Sequence, residues 1–437
     1  MTTARVILWG SAIGAVTWDE DRAIGVFQYE PDFARAGVEP APVVMPVRAA
    51  PYDFPELPVN TFKGLPGLLA DSLPDKFGNA LIDAWLAEQG RRPGSFNPVE
   101  RLCHTGSRGM GALEFEPALK AVERRSQRVD VKALVALSNR VLDDRISLQG
   151  KFSGADDRKA VEDILRVGTS AGGARAKAIL AWNEATGEFR SDQAPHQDGF
   201  TPWLMKFDGV RANKDKELAD PQGFGRIEYA YHLMAVAAGV EMAPCRLHEE
   251  GGRAHFMTQR FDRKADGGKL HMQSLGALMH YDFNRASAYS YEQAIQAIRL
   301  LRLPMSDVEQ QVRRAFFNVI ARNQDDHVKN IAFLMDKSGA WRLSPAFDIA
   351  YAYNPDGDWT SRHQMSLAGK WDDFEREDLI AFAVSSGVKK GKANRIIEEI
   401  VKAVAEWPEF AARGGVFDDR QVQIAKSQRL DLARTFA

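Results

Sequence analysis

The chain has very little cysteine. Its two residues of that type, Cys103 and Cys245, are far apart in 437 residues and match no metal-ligand or redox spacing. A disulfide framework is therefore excluded, and two reduced thiols in a cytoplasmic protein are expected. No apolar run approaches the roughly 18 residues of a membrane span, so no membrane partner is expected. The opening MTTARVILWGSAIGAVTW has one Arg and a short apolar run broken by Trp9, Gly10 and Ser11, which suits a strand better than the core of a signal peptide. Long basic runs are missing too. With 57 Lys and Arg against 59 Asp and Glu, the net charge of -2 argues against broad, salt-driven clamping of nucleic acid. A Walker A loop is also absent: Gly168 and Gly173 have the glycine spacing, but Ala174 and Arg175 stand where Lys and a hydroxyl residue belong.

What is present fits a globular chain large enough for two or three lobes. Residues 4 to 50 alternate apolar segments (RVILWG, AIGVFQY, APVVMPVRA) with turn residues, which predicts strands and hairpins. The spacing then becomes helical. Phe77, Leu81, Ala84, Trp85 and Ala87 fall near one face, with Gly90 placed to stop the helix. Polar segments at 121–128 and 151–160 read as surface or connecting chain, so a boundary is set near 120.

Residues 167–180, VGTSAGGARAKAIL, form a Gly-rich stretch that suits either a turn between strands or a loop whose small residues let backbone N–H groups approach phosphate. FTPWLMKFD, 200–208, reads as a strand with Lys206 near its end. A helix follows, carrying Glu228, which suits either pairing with Lys206 or the helix dipole. Gly-rich loop, strand Lys and helix occur in that order in the small lobe of a protein kinase. The hairpin CRLHEE-GG-RAHFMTQRFDR ends at Gln259, Arg260 and Phe261, where a strand exit can serve as an adenine-facing hinge.

MSDVEQQVRRAFFNVIARN has helical apolar spacing, with Ser306 and Glu309 set as a capping box. It leads into QDDHVKN and then IAFLM, DKSGA and WRLSP, read as strand, turn and strand. The ends of such a hairpin lie roughly 5 Å apart, so Asn330 and Asp348 are expected to meet. An amide oxygen and a carboxylate there suit Mg²⁺ together with substrate phosphates. Asp325, five residues before Asn330, lies on the loop feeding the ribbon, which is the kinase spacing of base and metal ligands. Asp and Asn before a strand are common turn residues; the ordered set outweighs that reading. His327 either stiffens the loop or touches a phosphate.

The sequence resembles the HipA kinases, toxins of type II toxin–antitoxin modules. The segments carrying the likeness are GLLADSLPDKFG (67–78), GTSAGGARAK (168–177), WLMKFD, QRFDR, LHMQSLGAL with HYDFN, NQDDHVKN and LSPAFDIAYAY. The resemblance implies an α+β, bilobal kinase-like fold: a β-rich N-terminal subdomain (1–120), a kinase N-lobe (121–262) and a mainly helical C-lobe (263–437). It also implies serine/threonine phosphorylation with ATP and Mg²⁺. Asp325 corresponds to the catalytic base, Asn330 and Asp348 to metal ligands, and Lys206 to the ATP-phosphate lysine. Gln259, Arg260 and Phe261 correspond to the hinge, with Gly172 and Gly173 in the phosphate loop. Ser170, beside Thr169, matches the serine that family members phosphorylate on themselves. Gln259 stands where Glu can occur and Phe347 where Tyr can precede the metal Asp.

The partners implied are a HipB-like antitoxin with a helix-turn-helix, operator DNA reached through it, and a protein substrate such as glutamyl-tRNA synthetase. Two other readings differ in kind. One is a catalytically weak co-repressor bridging antitoxin dimers, against which the intact Lys206, Asp325, Asn330 and Asp348 count. The other is a phosphotransferase acting on small molecules.

Overall fold

A computed structural model describes residues 1–118, 128–143, 175–191, 199–210, 214–215, 218–219 and 222–433. The fold is mixed α and β, strand-rich toward the N-terminus and mainly helical toward the C-terminus, as expected. It divides into two compact units. The first comprises Met1–Gln222, His248–Gln273 and Leu334–Ala340; the second comprises Gly223–Leu247, Ser274–Phe333 and Trp341–Ala437.

In the first unit, β1 (Thr3–Leu8), β2 (Ser11–Asp19), β3 (Ile24–Tyr29) and β4 (Leu113–Glu116) form a sheet in the order β3-β2-β1-β4. Trp9 and Gly10 both take positive φ, 50° and 83°, the combination a two-residue hairpin loop needs to match strand twist. The third apolar segment, 41–49, is not a strand; the strand missed by pattern is Ser11–Asp19. Pro42 and Pro46 lack the N–H a ladder needs. The segment instead buries Met45 and offers its carbonyl to the Tyr29 hydroxyl at 2.9 Å.

The Lys76–Glu88 helix starts on Asp75, whose carboxylate accepts from the Gly78 amide at 2.7 Å. Gly90, just beyond its end, has φ 70°. Its buried face, Phe77, Leu81, Ile82 and Leu86, packs with residues of a second sheet, among them Leu180, Trp203, Met205 and Met257. That sheet contains β5 (Lys177–Asn183), β6 (Glu188–Ser191) and β7 (Thr201–Lys206). It runs Cys245–Glu250, Arg253–Gln259, β7, β5, β6. Both cysteines are buried and neither is in a disulfide, and burial pushes the Cys103 thiol up to about 11.

The second unit is built on the Met305–Ala321 helix, in which Val312, Ala315, Phe316, Val319 and Ile320 are fully buried. Its start departs from expectation. Pro304, not Ser306, is the N-cap, and no side chain caps it. Proline has no N–H to satisfy and its φ of -67° joins a helix directly, so the helix begins before Ser306 can act as a cap. Glu309 instead pairs with Lys392 at 2.5 Å. The Trp407–Gly414 helix packs closely on Phe224–Ala237 because Gly414 has no side chain: a Cβ there would lie 2.9 Å from the Arg226 carbonyl.

Candidate active site

In the second unit the Met305–Ala321 helix stops at Arg322, which is left-handed with φ 59° and ψ 41°. The chain then runs extended, and burial alternates: Gln324, Asp326 and Val328 are buried, Asp325 and His327 half-buried. Alternation of this kind is the two-residue period of extended backbone. It turns the two neighbouring aspartates to different surroundings.

The Asp325 carboxylate accepts from the Trp359 indole N–H at 2.8 Å, and its backbone carbonyl accepts from the Asn330 side-chain amide at 2.9 Å. His327 is less engaged. Its Nε2 lies 3.7 Å from Asp325 Oδ1, beyond hydrogen-bond range, and its ring sits near Phe283 and Trp359. Val328–Asn330 form one 3-10 turn, with the Asn330 amide donating to the His327 carbonyl at 2.9 Å.

From Asn330 the chain enters Ala332–Met335, turns at 336–340 and returns as Trp341–Leu343, as the pattern predicts. The Ser344 amide donates to the Ala332 carbonyl at 2.9 Å, closing the base of this hairpin. Asn330 lies two residues before that bond and Asp348 four residues beyond it; both are half-buried. Asp348 has φ 54°, a left-handed backbone that Asp and Asn tolerate better than most side chains. The Ala346 amide, two residues earlier, is held by the Glu241 carbonyl at 2.8 Å.

Two residues that sequence reading missed support this loop. Asp326, 4% exposed, accepts from the Tyr291 hydroxyl at 2.6 Å, from His363 Nδ1 at 2.7 Å and from the Gln364 amide at 2.8 Å. Burial opposes its charge, but these donors hold its carboxyl below the usual range. Burial also holds the His363 ring below the usual histidine range. The DD doublet was the only trace of this anchor in the sequence. Nothing marked His363, which is 37 positions away.

In the first unit Lys206 ends β7, in register with Lys177 on one side and Phe256 on the other. Its ammonium lies 5.7 Å from the centre of the Phe256 ring. Gln259 ends its strand and Phe261 is half-buried. Arg260 is fully engaged: its amide donates to the Pro202 carbonyl at 2.9 Å, and its guanidinium grips Asp262 through Nε at 2.9 Å and Nη2 at 2.7 Å. Asp262 also accepts from Arg263 and from the Gly111 amide, both at 2.7 Å. Burial alone would raise that carboxyl, yet the two guanidinium groups hold it well below the usual range. The Arg260 N–H is therefore committed to the sheet. Thr169, Ser170, Gly172 and Gly173 lie outside the described residues.

In the second unit Glu228 is buried and lies past the first turn of the Phe224–Ala237 helix, where the dipole effect has faded. The donor set fits Mg²⁺. Among the described residues no three His, Cys, Asp or Glu side chains cluster to cage a metal. Magnesium is usually held by one or two carboxylates plus phosphate oxygens and water. Asn330, its amide nitrogen committed to Asp325, keeps its side-chain oxygen directed elsewhere.

Comparison with known proteins gives consistent results. The HipA N-terminal domain matches residues 4–116 and the HipA-like C-terminal domain matches 169–407. A Sinorhizobium fredii protein described as a candidate kinase, Y4mE, is 25% identical over 184 residues, 40% of this chain and 43% of that protein. The match thus spans under half the length of that relative. The fold resembles that of Shewanella oneidensis MR-1 HipA, solved with HipB and operator DNA, at a TM-score of 0.66 and 16% identity, covering 98% of this chain and 96% of that one. Two successive domain matches, the second alone spanning more than half of the sequence, place this chain in the HipA family.

Proposed function

We propose that the chain is a serine/threonine protein kinase using ATP and Mg²⁺, and that it acts as the toxin of a toxin–antitoxin pair. The observation that carries this reading is the arrangement around Asp325. Its carboxylate is half-exposed and oriented by Trp359, while Asn330 is fixed by the same residue's carbonyl. A carboxylate so held suits a general base. The oxygen of an acceptor hydroxyl would form its bond to the γ-phosphorus as the bond from that phosphorus to the ADP oxygen breaks, and Asp325 would take the hydroxyl proton. Asn330 and Asp348 would hold Mg²⁺, which when bound offsets phosphate charge. Lys206 would meet the nucleotide phosphates, the backbone at Gln259, Arg260 and Phe261 would face adenine, and Gly172 and Gly173 would cover the phosphates. His327 would shape the loop beside the base. Ser170 would be the self-phosphorylation site.

Family membership supports the rest of the proposal: three parts at 1–120, 121–262 and 263–437, a helix-turn-helix antitoxin through which operator DNA is reached, and an aminoacyl-tRNA synthetase as substrate. Among the described residues no helix is long and apolar enough to cross a membrane; action in the cytoplasm is part of the proposal. Incubating the purified protein with Mg²⁺, labelled ATP and cell extract tests it. Label on a serine or threonine of an extract protein is expected. No label on any protein, with the Asp325→Gln variant indistinguishable from the parent, would overturn it.

A further inference from the structure

The loop bearing Asp325 is tied to a distant part of the second unit. Asp326, next to the candidate base, receives His363 Nδ1 at 2.7 Å. A carboxylate only accepts, so Nδ1 carries the proton. On the other side of the same ring, Arg429 Nη1 lies 3.2 Å from Nε2. Guanidinium only donates, so Nε2 is the acceptor and the imidazole is neutral. The two neighbours together fix its tautomer.

Arg429 is itself held. It is 8% exposed, and Nη1 also donates to the Val319 carbonyl at 3.1 Å. Its backbone amide donates to the Ile320 carbonyl at 3.0 Å, and Nη2 pairs with Asp372. Asp372 faces Arg322 as well, at 3.4 Å, and Arg322 Nε donates to the Ser427 carbonyl at 2.9 Å. A parallel branch runs through polar side chains of the helix. Tyr291 gives its hydroxyl proton to Asp326 and receives Asn318 Nδ2 at 3.0 Å, and the Asn318 oxygen receives Asn323 Nδ2 at 3.0 Å.

We infer that Asp326, His363 and Arg429 are positioning residues for the base, and that residues 427–429, near the end of the described chain, form part of the catalytic apparatus. The reason is mechanical. The peptide from Asn323 to Asp326 lies outside any helix; a bridge to Ala352 fixes its start, the Gln324 amide donating to the Ala352 carbonyl at 3.3 Å, and beyond that bridge the Asp326 side chain is its anchor. Its angle to the acceptor is set where its buried side chain is held, and a base displaced by about 1 Å can lose roughly a hundredfold in rate. Three neutral or charge-assisted bonds on one buried carboxylate supply that constraint.

This inference rests on the kinase reading, so the test has one arm that needs no activity. Nitrogen NMR of the full-length protein labelled in histidine should show one ring protonated on Nδ1 alone and unchanged between pH 6 and 8, missing in His363→Asn. Amide hydrogen exchange in Arg429→Ala should quicken over 323–328 while 3–19 keeps its parental rate. In the kinetic arm, Arg429→Ala and His363→Ala should lower kcat about tenfold or more with KM for ATP changed less than twofold. His363→Asn, which restores a donor to Asp326, should recover most of that loss. If His363→Ala does not fold, Arg429→Ala and the parental NMR spectrum still decide. Parental exchange over 323–328 in folded Arg429→Ala, or a His363 protonated on Nε2, would overturn the inference. Kinase failure reads differently: the parent would transfer no phosphate, while the exchange and tautomer results would stand.

Discussion

The side-chain amide of Asn330 donates to the backbone carbonyl of Asp325 across 2.9 Å. A carbonyl cannot donate, so the nitrogen of that amide must face it and the oxygen must face away. One bond thus fixes the candidate base loop and directs the candidate metal ligand.

Asp348→Asn should abolish phosphoryl transfer, by roughly a hundredfold or more, because an amide offers Mg²⁺ no charge. The fold should survive. Asp348 has φ 54°, and Asn takes that conformation readily. Circular dichroism and a transfer assay on the same sample check both halves; undiminished transfer by the folded variant would remove Asp348 from the site.

Trp359→Phe deletes the indole N–H that meets Asp325 Oδ1 at 2.8 Å while keeping an aromatic ring beside His327. A hydrogen bond to a charged group is worth about 1.5–3 kcal/mol, so kcat should fall about tenfold with ATP binding retained. Steady-state kinetics with a nucleotide titration tests this, and an unchanged kcat would show that Trp359 does not orient the base.

Phosphate on Ser170 would add about -1.5 to -2 charge to a loop expected to cover nucleotide phosphates. Self-phosphorylation should therefore weaken ATP binding, and Ser170→Ala should resist self-inactivation. Intact-mass measurement with peptide mapping after incubation in Mg-ATP decides the matter; phosphate on Thr169 alone would exclude Ser170.

Stability should fall as the pH drops below 6.5. Burial lowers His232, His271 and His280 to about 4 in the folded protein, against about 6.5 unfolded. Between those values the unfolded chain binds more protons, so each group removes up to roughly 1.4 kcal/mol per pH unit. That loss is absent above 6.5 and complete near 4. For His271, whose Nε2 donates to the Pro40 carbonyl at 2.8 Å, His271→Gln should flatten its share of the slope. Urea unfolding from pH 7 to 4.5 measures it, and a level profile would contradict the burial of these rings.

Much of the fold could be read from neighbouring residues. The short apolar run in TPWLMK, the helical spacing of Val308 to Ile320 and the turn residues in DKSGA specify β7, the Met305–Ala321 helix and the 332–343 hairpin. Local pattern failed where proline intervened. Pro42 and Pro46 prevented a strand, and Pro304 took the cap assigned to Ser306. The order of candidate site residues was legible because Asp325, Asn330 and Asp348 lie within one short stretch.

The sequence alone determined the period of each element and the order of the chemically capable residues, since both depend on neighbours a few positions apart. Tertiary structure decided which of them face inward and what holds them. Asp325 and Asp326 are identical side chains on adjacent residues, yet one is half-exposed beside Trp359 and the other buried against Tyr291 and His363. The Arg260 guanidinium is bound by Asp262, a pairing that its place at the strand exit did not reveal. Those choices join residues far apart in the chain, 66 positions for His363 and Arg429 and 151 for Gly111 and Asp262. A buried charge must find partners wherever packing brings them, and the spacing of residues along the chain does not encode where that is.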